Sequence, residues 1–184
     1  MKGIVFREFL QMVENKFGYN LVDQIIIDSK IESNGAYTSV GTYPHEELFL
    51  LVKELSKNID VPFSQLLTVY GEYVFDKFMS AYPHLTEKYT DAFTLLCNIE
   101  DTIHVEVLKL YPDAQLPSIL TISKTEQELQ LEYSSSRKMG DFAEGMITSC
   151  LKYFNEEATV KKEVLNSDQS KVLFTIKKTH GKGI

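Results

Sequence analysis

The spacing of apolar residues changes once along this 184-residue chain, at the turn Tyr111-Pro112-Asp113-Ala114. Before the turn, apolar residues recur at intervals of three and four, as they do on one face of a helix. This spacing predicts six helices, over residues 5–17, 21–28, 43–58, 62–82, 86–96 and 99–111. After the turn, four segments alternate between apolar and polar residues, which is typical of half-buried strands. These segments are 118–123, 128–134, 158–165 and 172–177, and one amphipathic helix is predicted over 139–154.

The order of these elements predicts an α+β fold in a single domain, residues 1–184. We expect an N-terminal helical lobe over about residues 1–62. The second lobe, about residues 63–184, is expected to hold a four-stranded antiparallel sheet and one long helix. The last residues, 181–184, are predicted to form a frayed tail.

Composition and charge exclude several classes of function. The formal net charge of −7 argues against a nucleic-acid partner, because a phosphate backbone repels an acidic surface. Cys97 and Cys150 form no C-x-x-C pair, which argues against structural zinc. Arg7 and Glu8 interrupt any signal-peptide core, and no apolar run approaches the ~20 residues that span a bilayer. We therefore expect a cytoplasmic monomer with no membrane or nucleic-acid partner.

Three hydrogen-bond donors follow one another at every second position, namely Tyr133, Ser135 and Arg137. If the segment is extended, these side chains share one face. A phenol, a hydroxyl and a permanently charged guanidinium suit a ligand with two acidic groups. The alternative is an ordinary water-facing side of a sheet, which is the commoner origin of polar alternation.

One histidine, His104, falls on the apolar face of the sixth predicted helix. A histidine in such a position is more often a core residue whose hydrogen bonds are satisfied than a ligand. Glu100 falls on the same apolar face, and the sequence offers no explanation for it. The other histidines, His45, His84 and His180, are expected at the surface. A donor row for acids together with one distant imidazole is nevertheless what a haem site requires.

Several motifs together resemble the haem nitric oxide/oxygen binding (H-NOX) family. They are Ile103-His104-Val105-Glu106-Val107, the Tyr111–Ala114 turn with Pro117, Tyr133-x-Ser135-x-Arg137 and the opening Met1-Lys2-Gly3-Ile4-Val5. The family comprises the sensor domain of soluble guanylate cyclase and stand-alone bacterial relatives. The resemblance covers essentially the whole chain.

The resemblance implies that haem b lies between the two lobes. His104 is then the proximal ligand of a five-coordinate ferrous iron. Tyr133, Ser135 and Arg137 are expected to hold the two propionates, and Arg137 can do so bidentately. Pro117 is expected to press on the porphyrin from the proximal side and to distort it.

The resemblance also indicates which gas is bound. Oxygen-binding members carry a distal tyrosine, and the matching position here is Phe142. Two supporting polar positions match the apolar residues Phe9 and Val74. Without a donor that stabilises O₂, the pocket is expected to bind NO and CO and to bind O₂ poorly. Met146, Phe78 and Val5 complete the expected apolar lining, and the sequence leaves open whether Tyr70 or Tyr73 supplies a donor instead.

We therefore predict a haem-based sensor of NO that is not an enzyme. The chain holds no kinase, cyclase or DNA-binding module, so its signal would act in trans, by resemblance on a sensor histidine kinase or a cyclic-di-GMP enzyme. One alternative is a haem-free interaction module. A second is a haem enzyme such as a peroxidase, which the apolar residues at the expected distal positions disfavour, because peroxide cleavage needs a distal acid–base group.

Overall fold

The computed structural model describes residues 1–179, so His180 and the predicted tail lie outside the described residues. Three helices open the chain: α1 (Gly3–Phe17), α2 (Tyr19–Ser29) and α3 (His45–Ile59). Gly18 ends α1 with φ 85°, a left-handed conformation that favours glycine. The apolar faces of α1 and α3 supply half of the buried residues of the first core, which includes Phe6, Leu51 and Leu55. The three predicted helices are confirmed to within two residues at each end.

The long helix α4 (Phe63–Ala81) contributes to both hydrophobic cores. Leu66, Leu67 and Tyr70 belong to the first core, whereas Phe75 and Met79 belong to a second core under the sheet. A helix shared in this way links the two lobes. The division at residues 62 and 63 stays a prediction.

The prediction of a single helix over residues 86–96 is wrong. Pro83 opens a short helix, α5 (Pro83–Thr86), and α6 (Ala92–Cys97) begins separately. The break has a local cause, because the Asp91 carboxylate accepts a hydrogen bond from the Thr94 backbone N–H at 2.8 Å. Such an N-cap begins a helix, so the chain cannot run through Asp91 in helical conformation.

The helix predicted over residues 99–111 is divided as well. Its first part, Ile99–His104, is a π-helix, and the α-helix α7 (Val105–Leu110) continues from it. The Ile103 N–H bonds to the carbonyl of Asn98, five residues earlier, at 3.4 Å. Single π turns recur at functional sites because they change which side chains share a face.

Four strands form one antiparallel sheet in the order β1-β2-β4-β3. They are β1 (Ser118–Lys124), β2 (Glu128–Ser134), β3 (Ala158–Val164) and β4 (Lys171–Lys178). The helix α8 (Gly140–Tyr153) lies between β2 and β3 in the chain and packs against α4. The predicted α+β fold is therefore confirmed. None of the helices within residues 1–179 has the length and apolar character needed to cross a bilayer.

Candidate functional site

A mainly apolar cavity of about 520 Å³ lies where the two lobes meet. Its lining comes from α1, α4, α6, the π-helix, α7, residues 111–117, α8 and the strands β1, β2 and β4. This volume falls within the range of known small-molecule and cofactor sites. We call the side formed by α4 and α8 the α4–α8 wall, and the side formed by the π-helix, α7 and residues 111–117 the histidine wall.

His104 lies at the end of the π-helix and lines the cavity, with 13% of its side chain exposed. Its Nδ1 lies 3.2 Å from Oε2 of Glu100. The other carboxylate oxygen of Glu100 accepts a hydrogen bond from the Ile119 backbone N–H. Among the hydrogen bonds of residues 1–179, none involves Nε2 of His104, so this nitrogen is free to coordinate a metal. The structure thereby explains why an acid lies on an apolar face at position 100.

Tyr133, Ser135 and Arg137 all line the cavity. They do so although the three residues do not lie on one face of a continuous strand. Strand β2 ends at Ser134, and the next residues form a loop. The Ser135 N–H donates to the Ser170 carbonyl at 2.9 Å, and the Arg137 N–H donates to Oγ of Ser135 at 3.2 Å. The loop therefore brings Ser135 and Arg137 beside Tyr133. The assumption that the whole row is extended was wrong.

The Tyr133 phenol stays protonated and can therefore donate a hydrogen bond. Burial raises the pKa of the Tyr133 phenol, and this outweighs the opposite effects of Ser135 and Arg137. The phenol therefore keeps its proton at neutral pH. Arg137 donates to Oε1 of Gln115 at 3.4 Å, a weak contact that a carboxylate ligand would readily replace.

The structure also brings Lys2, Thr42 and Asp113 to the cavity, which the sequence analysis did not assign to the site. Nζ of Lys2 lies 2.9 Å from Oδ1 of Asp113 and 3.1 Å from Oγ1 of Thr42. These contacts tie the N-terminal lobe to the histidine wall. The bonded residues are separated by 40 positions and more, so no local sequence pattern marks them.

Five apolar residues of the prediction line the cavity, namely Phe142, Met146, Val74, Phe78 and Val5. The backbones of α4 and α8 meet closely behind them. A Cβ atom at Gly145 would lie 1.9 Å from the Thr68 carbonyl oxygen, and one at Gly71 would lie 2.1 Å from that of Phe142. Only glycine fits at such distances. The close contact between the two helices thus fixes the position of the Phe142 backbone relative to α4.

The remaining aromatic residues differ in their positions. Tyr70 lines the cavity, but its hydroxyl donates to the Val5 carbonyl. Tyr73 is not among the lining residues, although its hydroxyl is buried. Phe9 is fully buried one layer behind, with its ring centroid 5.3 Å from that of Tyr70. Pro117 lines the cavity immediately before β1.

The family model for haem-NO-binding proteins matches residues 2–162. Among curated proteins, no sequence match was found. The crystal structure of the Fe(II) unliganded H-NOX protein from K. algicida is similar to this chain with 42% identity, a TM-score of 0.93 and 100% of both chains covered.

Two further structures share the fold. The IWP-051-bound H-NOX from Shewanella woodyi, in the Fe(II)CO state, has 34% identity and a TM-score of 0.83, covering 100% of this chain and 97% of its own. An H-NOX protein from S. oneidensis in the Fe(II)NO state has 24% identity and a TM-score of 0.88, covering 98% and 100%, and it shows the common fold alone. By the family match and the relatives above 30% identity, this chain belongs to the haem-NO-binding (H-NOX) family, whose members are haem-based gas-sensor domains rather than enzymes.

Proposed function

We propose that this chain senses NO through a haem b whose proximal ligand is His104, and that it signals in trans to a partner enzyme. One observation carries the proposal. A single cavity contains an imidazole with a free Nε2, the donors Tyr133, Ser135 and Arg137, and an apolar wall. Membership of the H-NOX family supports the same reading.

The lining residues fit a flat, mainly apolar group with two acidic arms. A bound haem would supply a ferrous iron that binds diatomic gases. Nε2 of His104 would hold the iron, because Glu100 engages Nδ1 and leaves Nε2 free. Tyr133, Ser135 and Arg137 would donate hydrogen bonds to the propionates, and Pro117 would pack against the porphyrin. Val5, Val74, Phe78 and Met146 exclude water from the cavity.

The apolar character of the α4–α8 wall supports selectivity for NO and CO over O₂. A donor on this wall would favour O₂, because O₂ gains more from a hydrogen bond than NO does. Phe142 has no donor, and Tyr70, the one phenol of α4 and α8 that lines the cavity, already donates to the Val5 carbonyl. The wall therefore favours ligands that need no hydrogen bond.

Signalling would use the release of His104. If NO weakens the bond between the iron and the histidine, the π-helix and α7 lose their attachment to the haem and can shift. This is a two-state element biased by a ligand. We infer a sensor histidine kinase or a cyclic-di-GMP enzyme as the partner, and expect the NO-bound and NO-free forms to regulate it differently. From the sequence we also infer a cytoplasmic monomer.

The absorption spectrum of the reduced protein tests the proposal directly. We expect a Soret band of a five-coordinate ferrous haem, a new band on adding NO, and no stable oxy spectrum in air. His104→Ala is expected to bind haem poorly and to recover it with added imidazole. A persistent oxy complex would contradict the selectivity for NO, and a His104→Ala protein with an unchanged spectrum would contradict the ligand assignment. A wild-type protein without a Soret band would instead favour a haem-free interaction module.

A further inference from the structure

We propose that Glu100 is a positioning residue that clamps His104 to strand β1. This inference rests on the proposed function, since it concerns the residue that orients the proximal ligand. The Glu100 carboxylate has two oxygens and engages a different partner with each. Oε2 lies 3.2 Å from Nδ1 of His104, and Oε1 accepts the N–H of Ile119.

The Glu100 side chain connects the π-helix to the strand by hydrogen bonds. Glu100 and His104 are four residues apart on the π-helix, whereas Ile119 lies in β1, 19 residues further along the chain from Glu100. Ile119 in turn pairs with Tyr133 on β2. Glu100 therefore links the proximal imidazole to a β1 residue that lies directly opposite the first propionate donor in the sheet.

The clamp has two consequences for the imidazole. A carboxylate that accepts the Nδ1 proton fixes the tautomer and the orientation of the ring, and it raises the basicity of Nε2. A more basic Nε2 binds iron more strongly. Because the same carboxylate holds Ile119, a displacement of His104 pulls on β1 at a point two residues after Pro117.

The ferrous haem protein provides the test through two measurements. The first is the iron–histidine stretching band in resonance Raman spectra. The second is the Ile119 amide signal in ¹H–¹⁵N spectra of the CO complex.

The variant Glu100→Gln keeps the shape of the side chain but cannot accept at both positions. Glu100→Asp keeps the charge but is too short to span both donors. Asp101→Asn is the matched control, because it removes the same charge from an exposed neighbouring position on the π-helix.

We expect both Glu100 variants to shift the iron–histidine band to lower wavenumber and to move the Ile119 amide upfield, while Asp101→Asn changes neither. Loss of haem to an acceptor protein should be about tenfold faster in Glu100→Gln.

An unchanged stretching band in both variants overturns the clamp, even if the Ile119 signal moves, because Glu100 then acts only in folding. An unchanged Ile119 signal overturns the connection to β1. In either case the haem and NO spectra of the wild type would leave the proposed function standing. A wild type that takes up no haem would overturn the proposed function and the clamp together.

Discussion

The two walls of the cavity are held in place by different means. The α4–α8 wall is closed by backbone contact, since Gly71 and Gly145 each leave no room for a Cβ atom. In the histidine wall, neither the π-helix nor α7 contains a fully buried residue, and Val105, Leu108 and Leu110 are 43%, 40% and 52% exposed. The hydrogen bonds that hold it include those of Glu100 and the ion pair between Lys2 and Asp113.

The two walls are therefore expected to differ in how easily they move. A tightly packed wall keeps the shape of the pocket constant, because interiors at crystal-like density deform only at a high cost in free energy. A wall with few buried contacts can shift locally at a much lower cost. Selection is therefore expected to reside in α4 and α8, and the response in the π-helix and α7.

The largest effect is expected at the helix crossing. Gly145→Ala forces a methyl group against the Thr68 carbonyl and should lower the free energy of unfolding by about 3 kcal/mol. Leu108→Ala on the exposed side of α7 is the matched control and should change it by no more than about 0.5 kcal/mol. Urea unfolding of the two variants measures both values. Equal losses at the two positions would contradict the contrast between the walls.

The next effect concerns the choice of ligand. Phe142→Tyr places a phenol on the α4–α8 wall, and a new hydrogen bond should favour O₂ by about 1.5–3 kcal/mol, or roughly ten- to hundredfold in affinity. Stopped-flow measurement of O₂ association and dissociation gives the affinity. The affinity for CO should remain nearly unchanged, because CO gains little from a donor. Equal changes for O₂ and CO would indicate altered access to the cavity rather than a hydrogen bond.

A smaller effect is expected where the histidine wall meets the N-terminal lobe. Hydrogen bonds from Lys2 and then Thr42 lower the pKa of the Asp113 carboxyl. A carboxyl whose pKa is lowered on folding stabilises the protein above its ordinary pKa of about 4 and loses that contribution as the pH falls through the folded value. The melting temperature should therefore fall more steeply with acid in the wild type than in Asp113→Asn. Parallel curves for the two proteins would show that this ion pair does not contribute to stability.

The sequence predicted most of the fold because much of the required information is local. The alternation in β2 and the spacing in α8 reflect burial of one face, which each segment encodes by itself. The errors occurred at two local departures from regular α-helix. The cap at Asp91 divided one predicted helix, and the π turn before His104 altered the other.

The candidate site shows the same limit. His104, Pro117 and the donor row were identified from short motifs, and all of them line the cavity. The role of Glu100 could not be predicted, since its partner Ile119 belongs to another element. Lys2 and Asp113 were missed for the same reason, being 111 residues apart in the chain.

Local spacing and short motifs were enough to identify His104, Pro117 and the donor row, because periodicity and motifs depend on near neighbours. The contacts that hold these residues in place became visible only in the folded structure. Hydrogen bonds and close backbone contacts between distant segments form only when the elements pack, and here they join Glu100 to Ile119 and Gly145 to Thr68.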